Sequence, residues 1–309
     1  MSKKILITGG AGFIGSTVAD LFLSRGWDVA VLDDLSSGKL ENVATAATFF
    51  ECDVRSEAAA KAIADFRPDV LCHHAAQIDV RKSMADPRHD ADVNVGGLLN
   101  LMQAAAAAGV KQVLFASSGG AGYGETEVLP SPETLLPAPV SAYGAAKMAS
   151  ELYLGVYRAS HGIRAACLRY ANVYGPRQDP HGEAGVVAIF TGRLLDGKPC
   201  TVYGDGKQTR DYVYVTDVAR VNLLAAEAGF DGAVNVGTGV ETDVVELHGH
   251  LAKAAGVATP PEFGPARAGE QRRSCLNPRL AYARLGWRPE VSIGDGLTRT
   301  FEWFKKRRG

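Results

Sequence analysis

Tyr143 and Lys147 stand four residues apart in a stretch that reads as a helix, so they share one face and the lysine ammonium can sit beside the tyrosine hydroxyl. A free tyrosine, with a pKa of about 10, is a poor base at neutral pH. A neighbouring positive charge favours the phenolate and brings proton removal from an alcohol within range. Two serines, Ser117 and Ser118, directly follow the apolar run 113–116, where a hydroxyl could hold the same substrate oxygen. Tyrosine and lysine also fall at this spacing by chance, as a core ring and a surface amine. The start of the chain decides between the two readings.

There, Gly9, Gly12 and Gly15 are spaced G-x-x-G-x-x-G between the apolar run Ile5-Leu6-Ile7 and a helix-forming stretch that opens with Phe13 and Ile14. Strand, glycine turn and helix in this order suit a dinucleotide. Gly9 permits the tight turn, Gly12 lets backbone approach a pyrophosphate, and Gly15 lets the helix pack close. The phosphates would sit at the positive end of the helix. A second apolar run ends in Asp33, 18 residues past Gly15, where a carboxylate can bind the adenosine ribose hydroxyls. The polar loop Asp34, Ser36, Ser37 and Gly38 follows. Two carboxylates with no arginine beside them disfavour a 2′-phosphate, so the expected cofactor is NAD rather than NADP. Its oxidised nicotinamide would add a positive charge beside Tyr143. Asp53, ahead of Val54 at the end of a strand expected over 48–54, could face the adenine amine, and Ala75 and Ala76 let backbone touch a ligand at the end of the next strand. His73 and His74 invite a metal reading, but neighbouring strand residues point to opposite faces and cannot share one ion, so no metal is expected.

Stepwise alternation of strand and helix predicts an α/β fold, a Rossmann-like doubly wound parallel sheet with a smaller interleaved C-terminal lobe. Helices are expected from Ser56 to about Phe66, from Val93 to Ala108 with Gly109 as cap, and from Ala142, capped by Ser141, to His161. The strand 164–170 is the sixth of the sheet. Beyond Gly175 the alternation fades into a helix from Val186, a strand at 201–203 and a loop marked by Pro260, Pro261 and Pro265. The division expected is 1–175 plus about 211–240 for the dinucleotide domain, and about 176–210 plus 241–309 for a substrate lobe.

The 309 residues can bury a full core, and 46% hydrophobic with 22% charged residues is ordinary for a globular chain. A formal net charge of −1 offers no field for nucleic acid or an anionic membrane. The basic tail Lys305-Lys306-Arg307-Arg308 reads as a solvated helix end whose cations complement the dipole. The cysteines are odd in number and scattered, against a disulfide framework or zinc site. With no leader and no membrane-length apolar run, a cytoplasmic location is expected.

The glycine loop, Asp33, Asp53, the Tyr143/Lys147 pair and Leu168-Arg169-Tyr170-Ala171-Asn172-Val173-Tyr174-Gly175-Pro176-Arg177 together resemble the extended short-chain dehydrogenase/reductase family. Asp33-Asp34-Leu35-Ser36-Ser37-Gly38, the stretch Gln178 to Val187, and Gly204-Asp205-Gly206 through Arg210-Asp211-Tyr212 resemble its UDP-glucose 4-epimerase branch, over nearly the whole chain. The resemblance implies NAD as cofactor, with Gln77, Asn94, Ser117, Tyr170 and Val173 joining the residues already named around it. It implies Ser118, Tyr143 and Lys147 as catalytic residues. Asn172, Val186 and Val187 would contact a UDP-sugar, Tyr203 would lie by the uracil, Arg210 and Arg267 would bind phosphate, and Glu270 would hold the uridine ribose. Guanidinium forks match phosphate oxygens, which gives the arginine roles a physical basis.

One departure stands out. The family's catalytic Ser or Thr lies four residues before a Tyr-Gly, which from Tyr123-Gly124 lands on Gly119. Strand register instead selects Ser118, with Ser117 as the alternative. The implied reaction takes the sugar 4-hydroxyl proton to Tyr143 and the C4 hydride to NAD; the 4-keto sugar turns about its phosphate tether and receives the hydride on its other face. A dehydratase or decarboxylase on the same fold would need an added acid after the serine, where Gly119-Gly120-Ala121-Gly122 offers none, and a non-catalytic dinucleotide sensor would have lost the Ser, Tyr or Lys. The small Ser274 and Cys275, a few residues past Glu270, leave room for N-acetyl sugars if they line the pocket. The resemblance also implies a homodimer through the helices near 94–108 and 143–160.

Overall fold

The computed structural model describes residues 2–180, 185–266 and 271–308. Its centre is a seven-stranded parallel sheet. Six strands come from the first part of the chain: β1 (Lys4–Thr8), β2 (Asp28–Asp33), β3 (Thr48–Glu51), β4 (Val70–His73), β5 (Gln112–Ser118) and β6 (Arg164–Tyr170). The seventh, Gly232–Val236, returns to pair with β6, so the order runs Gly232–Val236, β6, β5, β4, β1, β2, β3. The fold is the Rossmann-like α/β arrangement that the alternation predicts.

Both faces of this sheet are covered, which is why its strands are continuously apolar. Ile5 and Ile7 of β1 join one core with Val18 and Phe22 of the helix Phe13–Ser24 and with Val218 and Val221 of the helix Val215–Ala228. Leu6, between them, points the other way, toward Ile63 of the helix Glu57–Phe66 and Leu98 and Leu101 of the helix Gly97–Ala108. A third core joins Val187 and Phe190 of the helix Val186–Leu195 to Val202, Tyr212, Tyr214, Leu247, Leu251 and Leu297. The short strand Tyr212–Tyr214 straddles two of these cores: its tyrosines enter the third, while Val213 enters the first.

Several elements differ from expectation. The helix expected to start at Val93 begins with a π-helical turn, Asp92–Gly96, before the regular helix Gly97–Ala108. Gly97 is needed there because a Cβ would come within 2.7 Å of the Val54 side chain. Two short helices, Val80–Ala85 and Pro87–Ala91, fill a stretch for which no element was expected; Asp79 and Asp86 cap them through backbone N–H groups, and Pro87 opens the second. Residues expected as a loop form the strand Glu262–Gly264, parallel to Thr201–Tyr203, because the neighbouring backbone supplies hydrogen bonds that its own sequence does not announce. The basic tail is not merely solvated: Arg307 pairs with Glu41 at 2.6 Å and Arg308 with Asp196, so neighbouring carboxylates as well as the helix dipole receive its charge. Among the described residues no helix is long and apolar enough to cross a membrane.

Candidate active site

The chain reverses direction across the sheet between β1 and β4, whose carboxyl ends lie side by side with Thr8 opposite His73. A crevice at such a reversal is where an open α/β sheet takes ligands. Gly9 turns there with φ of +67°, and a Cβ on it would stand 2.6 Å from the Ala75 backbone nitrogen. A Cβ on Gly15 would overlap the Gly9 carbonyl oxygen, so the helix presses on the loop rather than on the strand. The helix Phe13–Ser24 starts at Gly12 with no capping side chain and no acid in its first turn, which leaves its N-terminal N–H groups to an anion. This cradle fits a pyrophosphate.

Asp33 closes β2 and lies against the same loop. Its Oδ2 accepts the Ala11 N–H at 3.0 Å and its Oδ1 the Leu35 N–H at 2.9 Å, which leaves acceptor capacity for ribose hydroxyls. Burial pushes the Asp33 carboxyl up, against the pull of those two N–H groups. Gly38 sits beneath it: a Cβ would meet Asp33 Oδ1 at 2.6 Å. Asp34 accepts both the N–H and the hydroxyl of Ser36, and Ser37 continues that exposed loop. Asp53 is gripped by Arg55, which also reaches Asp92 at 2.7 Å; hydrogen bonds from Arg55 hold the Asp53 carboxyl below its ordinary value. Arg55 carried no sequence signal of its own.

The loop after β4 is braced from below. The Ala75 N–H donates to Thr8 Oγ1, and Ala76 follows it. Gln77 and Asn94 form a reciprocal pair, the Gln77 N–H donating to Asn94 Oδ1 at 2.9 Å and Asn94 Nδ2 donating to the Gln77 carbonyl at 3.0 Å. Asn94 lies on the π-helical turn, and Val54 packs under the helix that follows.

Lys147 is 3% exposed, with Nζ donating to the Ala116 carbonyl at 2.8 Å and lying 5.7 Å from the Tyr143 ring centre. Tyr143 is partly buried at the start of the helix Ala142–His161, which Ser141 caps through the Gly144 N–H. Desolvation pushes the Lys147 ammonium down to about 8, and the Asp90 carboxylate acts in the opposite direction. The two serines are distinguishable. Ser117 donates its hydroxyl to Glu151 at 2.6 Å, and Glu151 in turn holds the buried Arg169. Ser118 accepts the Ala121 N–H at 3.2 Å and opens the glycine turn Gly119–Gly122. A side chain at Gly119 would strike Leu276, with Cβ 2.6 Å from its Cδ1.

His73 and His74 take separate partners. His73 Nδ1 is 2.7 Å from Thr8 Oγ1, whereas His74 Nε2 is 3.1 Å from the Tyr170 hydroxyl, which also accepts from Asn222 Nδ2. Burial pushes both imidazoles down to about 3. The Tyr170 hydroxyl is thus engaged in the interior.

Residues beyond β6 approach from the other side. Asn172 and Val173 lie on the strand Asn172–Tyr174, which pairs with Tyr212–Tyr214. A Cβ built on Gly120 would be 3.7 Å from Ser274 Oγ and 3.9 Å from Asn172 Oδ1, which brings the serine turn, Asn172 and Ser274 together. Val186 and Val187 open the helix Val186–Leu195; Val187 is buried in the third core and Val186 packs against it. Tyr203 ends a strand beside Gly264, and Arg210 donates to the Thr209 carbonyl at 2.7 Å. Arg267 and Glu270 lie outside the described residues. Asp211, for which no role was expected, is buried and accepts from the Thr238 N–H and hydroxyl, the Gly239 N–H and the Leu276 N–H.

Over 310 aligned residues, covering 98% of this chain and 99% of the relative, the sequence is 46% identical to the UDP-glucose 4-epimerase of Mycolicibacterium smegmatis. The structure of the UDP-glucose 4-epimerase of Thermotoga maritima with UDP-glucose superposes with a TM-score of 0.97 at 46% identity, over 99% of this chain and all of that one (100%). The UDP-glucose 4-epimerase of Thermus thermophilus in complex with NAD superposes with a TM-score of 0.93 at 48% identity, over 98% and 99% of the two chains. The profile of the NAD dependent epimerase/dehydratase family matches residues 5–237, and the chain belongs to that family.

Proposed function

We propose that the protein is a UDP-glucose 4-epimerase that inverts C4 of a UDP-hexose. The observation that carries this reading is Lys147 beside the Tyr143 ring and bonded to the Ala116 carbonyl of β5, two residues ahead of Ser118, with Asn172 and Ser274 beside Gly120. Relatives of the same length named for this activity support it.

The residues present fit NAD. Gly9 to Gly15 and the uncapped helix end would take the pyrophosphate, and Asp33 with the loop Asp34 to Gly38 would take the adenosine half. NAD, when bound, supplies a hydride acceptor and donor and a positive charge beside the tyrosine. The chain's own residues do the rest. Tyr143 removes the 4-hydroxyl proton and later returns one, with Lys147 favouring its phenolate. Ser118 holds the reacting oxygen at the end of β5. Arg210, and Arg267 outside the described residues, would anchor the diphosphate, and Glu270 the ribose, so that the sugar stays free to turn.

The substrate division is proposed as about 176–210 plus 241–309, with 1–175 and about 211–240 forming the NAD-binding part. A homodimer is also proposed, through the apolar groove between the helices Gly97–Ala108 and Ala142–His161, lined by Leu99, Ala106, Tyr153 and Val156. Leu152 on the same helix is 76% exposed. Sedimentation of the wild type and of Val156→Glu tests this: the variant should be monomeric.

Incubation with UDP-galactose and separately with UDP-N-acetylgalactosamine, followed by identification of the products, tests the function. UDP-glucose from the first is expected. No interconversion, in protein that carries NAD, would overturn the proposal.

A further inference from the structure

Asp90 is a buried carboxylate to which no role has been given. It sits on the short helix Pro87–Ala91, which packs against the helix carrying Tyr143 and Lys147, and it is 1% exposed. Its Oδ1 accepts from Gln77 Nε2 at 2.9 Å and from Asn94 Nδ2 at 3.1 Å. Its Oδ2 is buried and has no hydrogen-bond partner among the described residues. Burying a carboxylate is costly unless its charge and lone pairs are answered. Two amides answer part of that demand, and the charge must be answered by a cation.

The surroundings identify that cation. Arg81, Lys82, Arg88 and His89, on the same two short helices, are all exposed. Arg55 is committed to Asp53 and Asp92. His73 at the end of β4 and His74 just after it feel the Lys147 charge but are kept neutral by burial; from β5 come the Ala116 carbonyl and the Phe115 ring; on its own helix stand Tyr143 and, one turn on, Glu151, which Arg169 neutralises. Lys147, on the helix against which Pro87–Ala91 packs, is left as the buried cation, and the Asp90 carboxylate favours its charged form.

We propose that Asp90 is a positioning residue for the proton-transfer pair: its carboxylate fixes the Gln77 and Asn94 amides that shape the loop after β4, and it holds Lys147 in the ammonium form. This rests on the reading of Lys147 as the partner of Tyr143. The first role ties two segments, the Gln77–Asp79 loop and the π-helical turn, to one oxygen. The second offsets the desolvation that drives Lys147 toward neutrality.

Removing the negative charge disfavours the ammonium, so Lys147 loses its proton at a lower pH. It also favours the phenolate, so the acid limb of turnover moves the same way. Asp90→Asn keeps an oxygen to accept both amides, removes the charge, and puts an NH2 group at the Oδ2 position, where it breaks no hydrogen bond. In whole protein as purified, with 13C-lysine and the Lys147 signal assigned by its loss in Lys147→Met, the midpoint in Asp90→Asn should fall by about one pH unit. The pH profile of turnover should move to lower pH with it, and Asp90→Glu should restore both. Should Asp90→Asn fail to accumulate folded, Asp90→Ser carries the same expectation. A Lys147 midpoint unchanged in either folded variant overturns the proposal, whatever its turnover. A shifted midpoint in Asp90→Asn, together with a wild type that carries NAD and fails to epimerise, sinks the functional reading and leaves Asp90 in its role.

Discussion

The two sides of the cleft are built on opposite plans. The part proposed for the cofactor's phosphates and adenosine is one continuous stretch, Gly9 to Gly38, with contacts inside itself: Gly15 on Gly9, Asp33 on Ala11 and Leu35, Gly38 under Asp33. The side proposed for the substrate draws on pieces far apart in sequence, Asn172, Arg210 and Ser274, in a region whose strands are only two or three residues long. A dinucleotide can be bound by a local loop because its phosphates ask only for backbone N–H groups. On the proposed mechanism, a sugar that turns between two faces needs walls from several directions, braced at a distance.

The largest effect should come where the two sides meet. Tyr143→Phe should retain NAD and the fold yet lower turnover by about 10²- to 10⁴-fold, with Lys147→Ala similar; near-normal rates in folded Tyr143→Phe would remove the centre of the comparison. Next is the long-distance brace. Asp211→Asn puts an NH2 group where one carboxylate oxygen accepts from backbone N–H groups, at about 1–3 kcal/mol for each one orphaned. Its melting temperature should fall, and KM for the UDP-sugar should rise while acid extraction still releases NAD. Equal loss of NAD and sugar would mean that the two sides are not separately built. Gly15→Ala should do the reverse, costing about 1–3 kcal/mol or more of overpacking and emptying the protein of NAD first. NAD recovered at wild-type occupancy from Gly15→Ala would break the claim that the loop is fixed by its own close contacts.

The smallest effect concerns sugar size. Ser274 is buried beside Gly120 and Asn172, and a larger side chain there would take up space next to both. The wild type should turn over UDP-N-acetylglucosamine as well as UDP-galactose, and Ser274→Tyr should lose the first while keeping the second. Failure of the wild type on the N-acetyl sugar would remove the size argument and leave C4 inversion intact.

What could be read in advance divides along the same line. The sheet, its helices and the Gly9–Gly15 loop were legible because burial on both faces writes continuous apolar runs and a pyrophosphate turn writes glycines. Ser141 as a cap and the end of the helix at His161 were likewise legible. Asp90, Arg55 and Asp211 were not, because an isolated acid or base carries no spacing; only the Asp86-Pro87 pair hinted at the short helix beneath Asp90. The π-helical turn escaped for a similar reason, since Gly96 and Gly97 permit it without requiring it. The strand Glu262–Gly264 depends on a partner 61 residues away in the chain, as the register Glu262 to Thr201 implies (262 − 201 = 61).

The contact between position 119 and Leu276 couples two parts of the sequence that are 157 residues apart (276 − 119 = 157). Leu276 fills the space that a side chain at 119 would need, and it is itself pinned by Asp211. The two positions should therefore covary. A relative that carries its hydroxyl four residues before the Tyr-Gly should have a smaller residue opposite it, and one that carries Ser at 118 can keep leucine. Moving the serine by one residue in this chain would need two substitutions, Gly119→Ser with Leu276→Ala, and either alone should be worse than both.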